Sequence, residues 1–328
     1  MTHRRLLSGL TLLISLYSFS ACLKKENADG TFKVALLSPG PVSDAGWNAS
    51  AYEGLLRIEK ELGAEISQIE VKTPAEFEEG FRDYADKGFK LVFGHGFEFQ
   101  DAAAAASPDF PNTVFITSSG TTVRDNVAPM IFEIEQATYL MGIIAARLSK
   151  TGKAGCVGGI EIPSVQSGFR AFEAGAKSVN KNFVVVNSFI GNWDDLGAAK
   201  EATLALIDQK ADFILHNADA AGLGVFQAVK ERQGVFAFGA NKNQNDLAPQ
   251  VVMASAVLDI PQALVTMARQ VKEGAFKAQI ERLGMKDGVV ALAINPTLAH
   301  HLSAKLMKEI EDTRQAILRG ELVVPRGF

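Results

Sequence analysis

The chain has 328 residues, 47% of them hydrophobic, and a formal net charge of −4 at pH 7. That apolar content can fill the cores of two ordinary domains, while the mildly acidic balance gives no basic face for nucleic acid or anionic lipid. With Cys22 assigned to a lipid as argued next, Cys156 is left without a partner, so neither a disulfide framework nor a cysteine-rich metal site is predicted, and no cofactor or metal is expected.

In chain order, Arg4 and Arg5 precede an uncharged apolar run over 6–19, and Ser20 and Ala21 lead to Cys22. That order describes a signal peptide over 1–21. The run falls short of the ~20 residues a membrane span needs. Phe19-Ser20-Ala21-Cys22 resembles the lipobox of bacterial lipoproteins, with Phe19 in place of the usual leucine, which implies that Cys22 is lipidated and becomes the first mature residue. An ordinary signal peptide cleaved nearby, with Cys22 incidental, is the competing reading. Residues 24–30 (KKENADG) are polar and end in glycine, so 22–31 reads as a lipidated tether.

Beyond the tether, strand and helix patterns alternate. Residues 32–37 predict a strand, 47–62 a helix stopped by Gly63, a strand follows around 67–71, and 75–87 predicts an amphipathic helix closed by Gly88. A strand at 91–94, a helix beginning over 102–106 and a strand at 113–117 complete one doubly wound unit. A helix over 136–148 then leads into 153–159, and strands at 183–186, 213–216, 235–239 and 251–254 repeat the rhythm. The predicted fold class is therefore α/β, with two doubly wound parallel-sheet lobes. Ligands of open parallel sheets sit beyond the carboxyl ends of the strands. The candidate binding segments are accordingly 43–48, 95–101, 158–169, 192–195, 217–222 and 240–244.

Several stretches resemble the basic membrane protein family, lipoproteins that include bacterial purine nucleoside receptors for ABC-type importers. They are Ser43-Asp44-Ala45-Gly46-Trp47-Asn48 with Glu53-Gly54, Gly96-Phe97-Glu98-Phe99-Gln100-Asp101, Lys150-Thr151-Gly152-Lys153 with Gly158-Gly159 and Pro163, Phe172-Glu173-Ala174-Gly175, Gly222-Leu223-Gly224-Val225-Phe226 and Asp246-Leu247-Ala248-Pro249. Each motif is weak alone; their shared order runs over nearly the whole mature chain. The resemblance implies a clamp like the type I periplasmic binding proteins, with hinge crossovers near 132–136, 257–261 and 293–296. One lobe would hold 32–134 plus 259–293 and the other 135–258 plus 294–328. It also implies a small-molecule ligand, an ABC permease as partner, a monomer, and attachment through Cys22 outside the cytoplasm.

The site chemistry can be argued from residue types. Trp47, Phe97 and Phe169 lie on predicted cleft loops and could stack on a flat heteroaromatic ring, or could simply cap the lobe cores. Asp44, Asn48 and Asp101 could take the donors of a base edge, or could cap helices, and Asp101 also matches the family's base-contacting aspartate. His95 follows a strand directly and either reaches the ligand or bonds to backbone. The positions resembling the family's ribose-gripping aspartate and lysine are Asn241 and Leu258, so both charges are missing. The loop resembling the family's glycine-rich Gly-Gly-Thr-Gly reads Asp219-Ala220-Ala221-Gly222, so Trp193, Asn217, Asp219 and Asn241 would make a differently patterned pocket. An enzyme is disfavoured: the histidines lack HExxH spacing, no P-loop exists, and Gly94-His95-Gly96 lacks the last glycine of a dinucleotide fingerprint. A ligand-sensing lipoprotein that signals to another receptor is the alternative to transport.

Overall fold

The computed structural model describes residues 30–44 and 46–326; the expected signal peptide, Cys22 and the expected tether up to residue 29 lie outside the described residues. From Phe32 onward the chain forms the two-sheet body.

The first lobe begins with β1 (Lys33–Ser38), whose apolar run is buried after its first residue, and α1 (Trp47–Leu62), which stops where Gly63 takes φ 63° and returns its N–H to the Glu59 carbonyl. A left-handed cap of this kind suits glycine, which has no Cβ to clash. Next come β2 (Glu65–Glu70) and α2 (Pro74–Asp86), the latter started by a reciprocal capping box between Thr73 and Glu76. Then follow β3 (Leu91–Gly94), α3 (Gln100–Ala106), β4 (Val114–Ser118) and β5 (Val127–Phe132). β5 is buried throughout and was not predicted, because Pro129 makes it read unlike a strand.

The second lobe runs through α4 (Glu135–Leu148), β6 (Lys153–Gly158), α5 (Pro163–Val179), β7 (Val184–Phe189), α6 (Leu196–Asp208), β8 (Phe213–Asn217), α7 (Gly222–Lys230), β9 (Phe236–Gly239) and β10 (Val252–Leu258). The chain then returns with α8 (Ile260–Lys272) against α1 and with β11 (Glu281–Leu283) beside β5, before β12 (Val290–Ile294) and α9 (Ala304–Leu318) finish the second lobe. The first sheet has the order β11-β5-β4-β3-β1-β2, all parallel. The second has the order β12-β10-β9-β8-β6-β7, parallel except for β12.

Helices cover both faces of each sheet, so the central strands sit in apolar surroundings, while the edge strands β2 and β7 are only partly buried. One continuous core joins the α1 and α8 side of the first sheet, the crossovers, and the α4 and α5 side of the second; each sheet has a smaller core on its other face. α4 is buried nearly all round, from Ala137 to Ala145, because sheet, α5 and α9 all press on it. Its approach to α5 is close enough that a Cβ on Gly142 would lie 2.0 Å from the Phe172 carbonyl oxygen, and one on Gly175 2.0 Å from that of Tyr139. Any side chain at either position would push the two helices apart. Among the described residues, no helix is long and apolar enough to cross a membrane.

Three crossovers join the lobes, between β5 and α4, between β10 and α8, and between β11 and β12. The third corrects the sequence reading, which put a crossover near 293–296 and residues up to 293 in the first lobe. β12 pairs antiparallel with β10, from Ala254↔Ile294 to Leu258↔Val290, so 290–293 belong to the second sheet. The reversal happens earlier, at a turn where Gly284 N–H donates to the Asp287 carboxylate and Gly288 takes φ 72°. The three segments lie side by side: Glu133 N–H bonds to the Leu283 carbonyl, Met285 N–H to the Gln136 side chain, and Asp259 N–H to the Val289 carbonyl. Arg326, near the chain's end, pairs with Glu133 and Glu135 on the first crossover.

Candidate functional site

The carboxyl ends of nearly all central strands converge on one interlobe cavity of roughly 550 Å³, counted with its open mouth. The first lobe contributes Pro39 and Trp47 after β1, Gly96, Phe97 and Glu98 after β3, Ser119 after β4, and Phe132 and Ile134 at and after the end of β5. The second contributes Ile162, Ser164 and Val165 after β6, Trp193 after β7, Asn217 and Asp219 at and after β8, Asn241 after β9 and Leu258 at the end of β10. At the rim, Lys242 of the second lobe meets Glu53 of α1 at 3.5 Å, an ion pair between the lobes.

Each tryptophan is seated by its own lobe. Trp47 stacks on His95 with ring centroids 4.1 Å apart and 20° between planes, meets Phe132 edge-on at 5.8 Å, and donates its indole N–H to the His95 carbonyl at 3.3 Å. His95 Nε2 lies 3.1 Å from the Trp47 carbonyl, which can only accept, so Nε2 carries the proton and Nδ1 accepts from the Ser118 hydroxyl at 3.0 Å. Burial holds the imidazole neutral, with its pKa lowered to about 3 despite that carbonyl partner. Trp193 lies against the backbone of Gly159, where a Cβ would come within 2.1 Å of its six-membered ring. The chain has only these two tryptophans, and they line the same cavity from opposite lobes.

The polar wall of the second lobe is strained and acidic. Asn241 donates to Asp219 Oδ1 at 3.1 Å and to Asn217 Oδ1 at 3.3 Å. Asp219 (φ 45°), Asn241 (φ 67°) and, on the other lobe, Ser119 (φ 68°) are three of the four non-glycine residues with positive φ among the described residues. Such backbone costs on the order of 1 kcal/mol or more per residue and tends to cluster where a ligand is held. Asp219 keeps some exposure to the cavity, yet protein encloses it closely. Desolvation, then the negative charge of Asp44, raises its carboxyl to about 8, with a smaller push from Glu98 and an opposing hydrogen bond from Asn241. Glu98 is exposed by area but confined in the cleft, and desolvation raises its carboxyl too. Beneath this wall, buried His216 bonds through Nε2 to Gln244 Oε1 at 2.8 Å, and the same oxygen receives the Ala240 N–H at 3.0 Å.

Of the residues proposed from sequence, Trp47, Phe97, Trp193, Asn217, Asp219 and Asn241 line this cavity. Asp44 does not: its two oxygens take the N–H groups of Gly46, Asn48 and Ala49 and the Asn48 side-chain amide, which fixes the start of α1. Asn48 is correspondingly buried behind Asp44, and His95 stands behind Trp47. Asp101 is exposed in the first turn of α3, turned outward because Phe99, Ala102 and Ala103 plug into the core. Phe169 is core, 1% exposed and packed on Phe189 at 5.7 Å, since it lies on the buried stripe of α5 beyond its first turn. Glu98 falls within the expected segment 95–101 but was not singled out, and Ser119, Phe132 and Ile134 lie outside every candidate binding segment. Ser119 follows the end of β4 directly and Glu98 lies in the loop after β3, which was the available signal; Phe132 ends β5 and Ile134 begins the crossover, and neither apolar residue carried one.

Residues 31–327 match the family described as ABC transporter substrate-binding protein PnrA-like. The chain is 30% identical over 324 residues to basic membrane protein A of Borreliella burgdorferi, covering 96% of this chain and 94% of the relative. It is 29% identical over 299 residues to a purine-binding protein of Brucella abortus, covering 90% and 83%. The crystal structure of an ABC transporter solute-binding protein from Aeropyrum pernix K1 shares the fold, with a TM-score of 0.81 at 23% identity over 90% of this chain and 94% of that one.

Proposed function

Because this chain belongs to the Bmp family of PnrA-like ABC transporter substrate-binding proteins, a family of binding proteins and not of enzymes, we propose that it captures a small heteroaromatic ligand between its lobes and delivers it to an ABC importer. The ligand class is a purine nucleoside or nucleobase. The observation that carries this reading is the placement of the two tryptophans, one per lobe, on one cavity. A flat ring gains on the order of 1 kcal/mol per stacked contact beyond its burial, and a purine offers two faces. The purine-binding relative from Brucella abortus supports the same class. At Asn241 and Leu258, where family receptors resembled here carry charged ribose contacts, the wall is uncharged, which favours the base over the sugar as the recognised part.

Capture proceeds by closure about the three crossovers. Contacts from both walls are satisfied together only when the cleft is shut, so ligand shifts the open–closed equilibrium toward the shut form. A micromolar receptor needs about 8 kcal/mol net. Two stacked faces and a few hydrogen bonds can supply that after ordering costs. The protein acts outside the cytoplasm, held to a membrane by a lipid on Cys22. The test is native purification of the mature chain, denaturation and mass spectrometry of released small molecules, followed by thermal-shift screening of purines and nucleosides. Release of a non-aromatic solute, with no purine stabilising the protein, would refute the heteroaromatic assignment.

A further inference from the structure

The cavity wall is electrostatically one-sided. It presents the carboxyls of Glu98 from the first lobe and Asp219 from the second, and among the described residues no lysine, arginine or histidine lines it. Asp44 adds a negative charge behind the wall that acts on Asp219. The nearest cation along the chain, Lys242, is engaged with Glu53 at the rim. The remaining polar groups around Asp219 are the amides of Asn217 and Asn241; Asn241 occupies Oδ1 of Asp219, which leaves Oδ2 for the cavity. Indole faces are electron-rich and favour the positive edge of a ring over an anion.

We propose that Glu98 and Asp219 are the specificity-determining pair of this cleft, closing from opposite lobes on the N–H donors of the ligand. The favoured edge is a ring N–H beside an exocyclic amino group, as in guanine, since Glu98 and the Oδ2 of Asp219 accept N–H bonds when ionised. Rings that present carbonyl oxygens at that edge meet repulsion from the ionised pair, and phosphorylated ligands meet the same carboxylates with no cation to balance them. This rests on the heteroaromatic reading above and narrows it to amino-bearing, uncharged or cationic rings. The Asp219 carboxyl is pushed up to about 8, chiefly by desolvation. A donor edge stabilises the charged form, so binding below about pH 8 releases a proton and affinity climbs as pH approaches that value.

The experiment compares guanine with hypoxanthine, and guanosine with inosine, xanthosine and guanosine monophosphate, by titration calorimetry on the wild-type chain and on Asp219→Asn and Glu98→Gln. Thermal unfolding of each variant reports folding separately. The expected result is at least about tenfold tighter binding of the 2-amino compound in each pair and no binding of the monophosphate. Both variants lose that preference, and Asp219→Asn also loses proton release, with melting temperatures held. Equal binding within each pair, binding of the monophosphate as tightly as guanosine, or a wild-type preference kept by either folded variant overturns the pairing while the heteroaromatic reading stands. If none of these compounds binds, the pairing falls, and the small molecule released on denaturation decides the heteroaromatic reading.

Discussion

Replacing Gly159 by alanine tests whether Trp193 works by being held flat. The added Cβ would lie 2.1 Å and 2.4 Å from two carbons of the Trp193 ring and 2.8 Å from the Asn192 carbonyl oxygen. None of those separations is tolerable, and the backbone of Gly159 is anchored by hydrogen bonds to Asn217 and Gly191. The indole must therefore leave its seat. Overpacking of this kind costs about 1–3 kcal/mol, absorbed here by a side chain that opens onto a cavity, so the effect falls mainly on binding. Loss of one stacked face, about 0.5–1.5 kcal/mol plus the cost of a misplaced ring, predicts a five- to thirtyfold weaker dissociation constant for the purine. With Trp47→Phe as background, Trp193 is the sole indole and its emission reports the displacement directly. In a double-mutant cycle, Gly159→Ala should add almost nothing to Trp193→Ala. Wild-type affinity in Gly159→Ala, or additive losses in the double variant, would show that Trp193 is not the route.

Other outcomes follow from the same wall. His95→Ala removes both the ring that Trp47 stacks on and the N–H given to its carbonyl; a stability loss of about 2–4 kcal/mol and a several-fold weaker dissociation constant are expected from denaturant melts and titration. Because burial lowers that imidazole's pKa to about 3, the folded protein takes up no proton there between pH 5 and 8 and the dissociation constant should not change through its titration, whereas stability should fall as pH drops below about 6.5, where the unfolded chain takes up the proton first. Asp101→Ala should leave affinity within about twofold, as the side chain points to solvent; a tenfold loss would move the site. Glu135 is buried, and desolvation raises its carboxyl from 4.5 to about 7 against the pull of Arg326. The folded state thus holds that proton more tightly than the unfolded chain, so stability falls as pH rises from about 4.5 to 7 and levels beyond. Glu135→Gln should flatten that decline in a series of thermal melts; an unchanged slope would assign it elsewhere.

Much of the architecture was legible because doubly wound sheets write plainly: short apolar runs, glycine-stopped helices and loops rich in Asp, Asn and Gly. The strands that escaped were β5, interrupted by Pro129, and the short β11 and β12, whose place in two different sheets no local pattern records. At the site, residues immediately after strands were readable as a class, yet the class does not say which side chains face inward. Asp44 and Asn48 resemble ligand groups and are spent on the start of α1. Phe169 shows the opposite error: an aromatic beyond the first helical turn belongs to the periodic stripe of the core. Glu98 was passed over in favour of Asp101, three residues on, since only the buried Phe99 reveals how that turn is rotated.

The triple crossover has a practical side. Neither lobe is one contiguous stretch, because α8 and β11 complete the first lobe from the far side of the second. No truncation yields a finished half, and a protease that nicks a single crossover leaves two fragments still bound through the other two and through shared sheets. A fluorescent reporter for the ligand must accordingly be inserted at an outer loop of one lobe, with both halves of the gene kept in one reading frame.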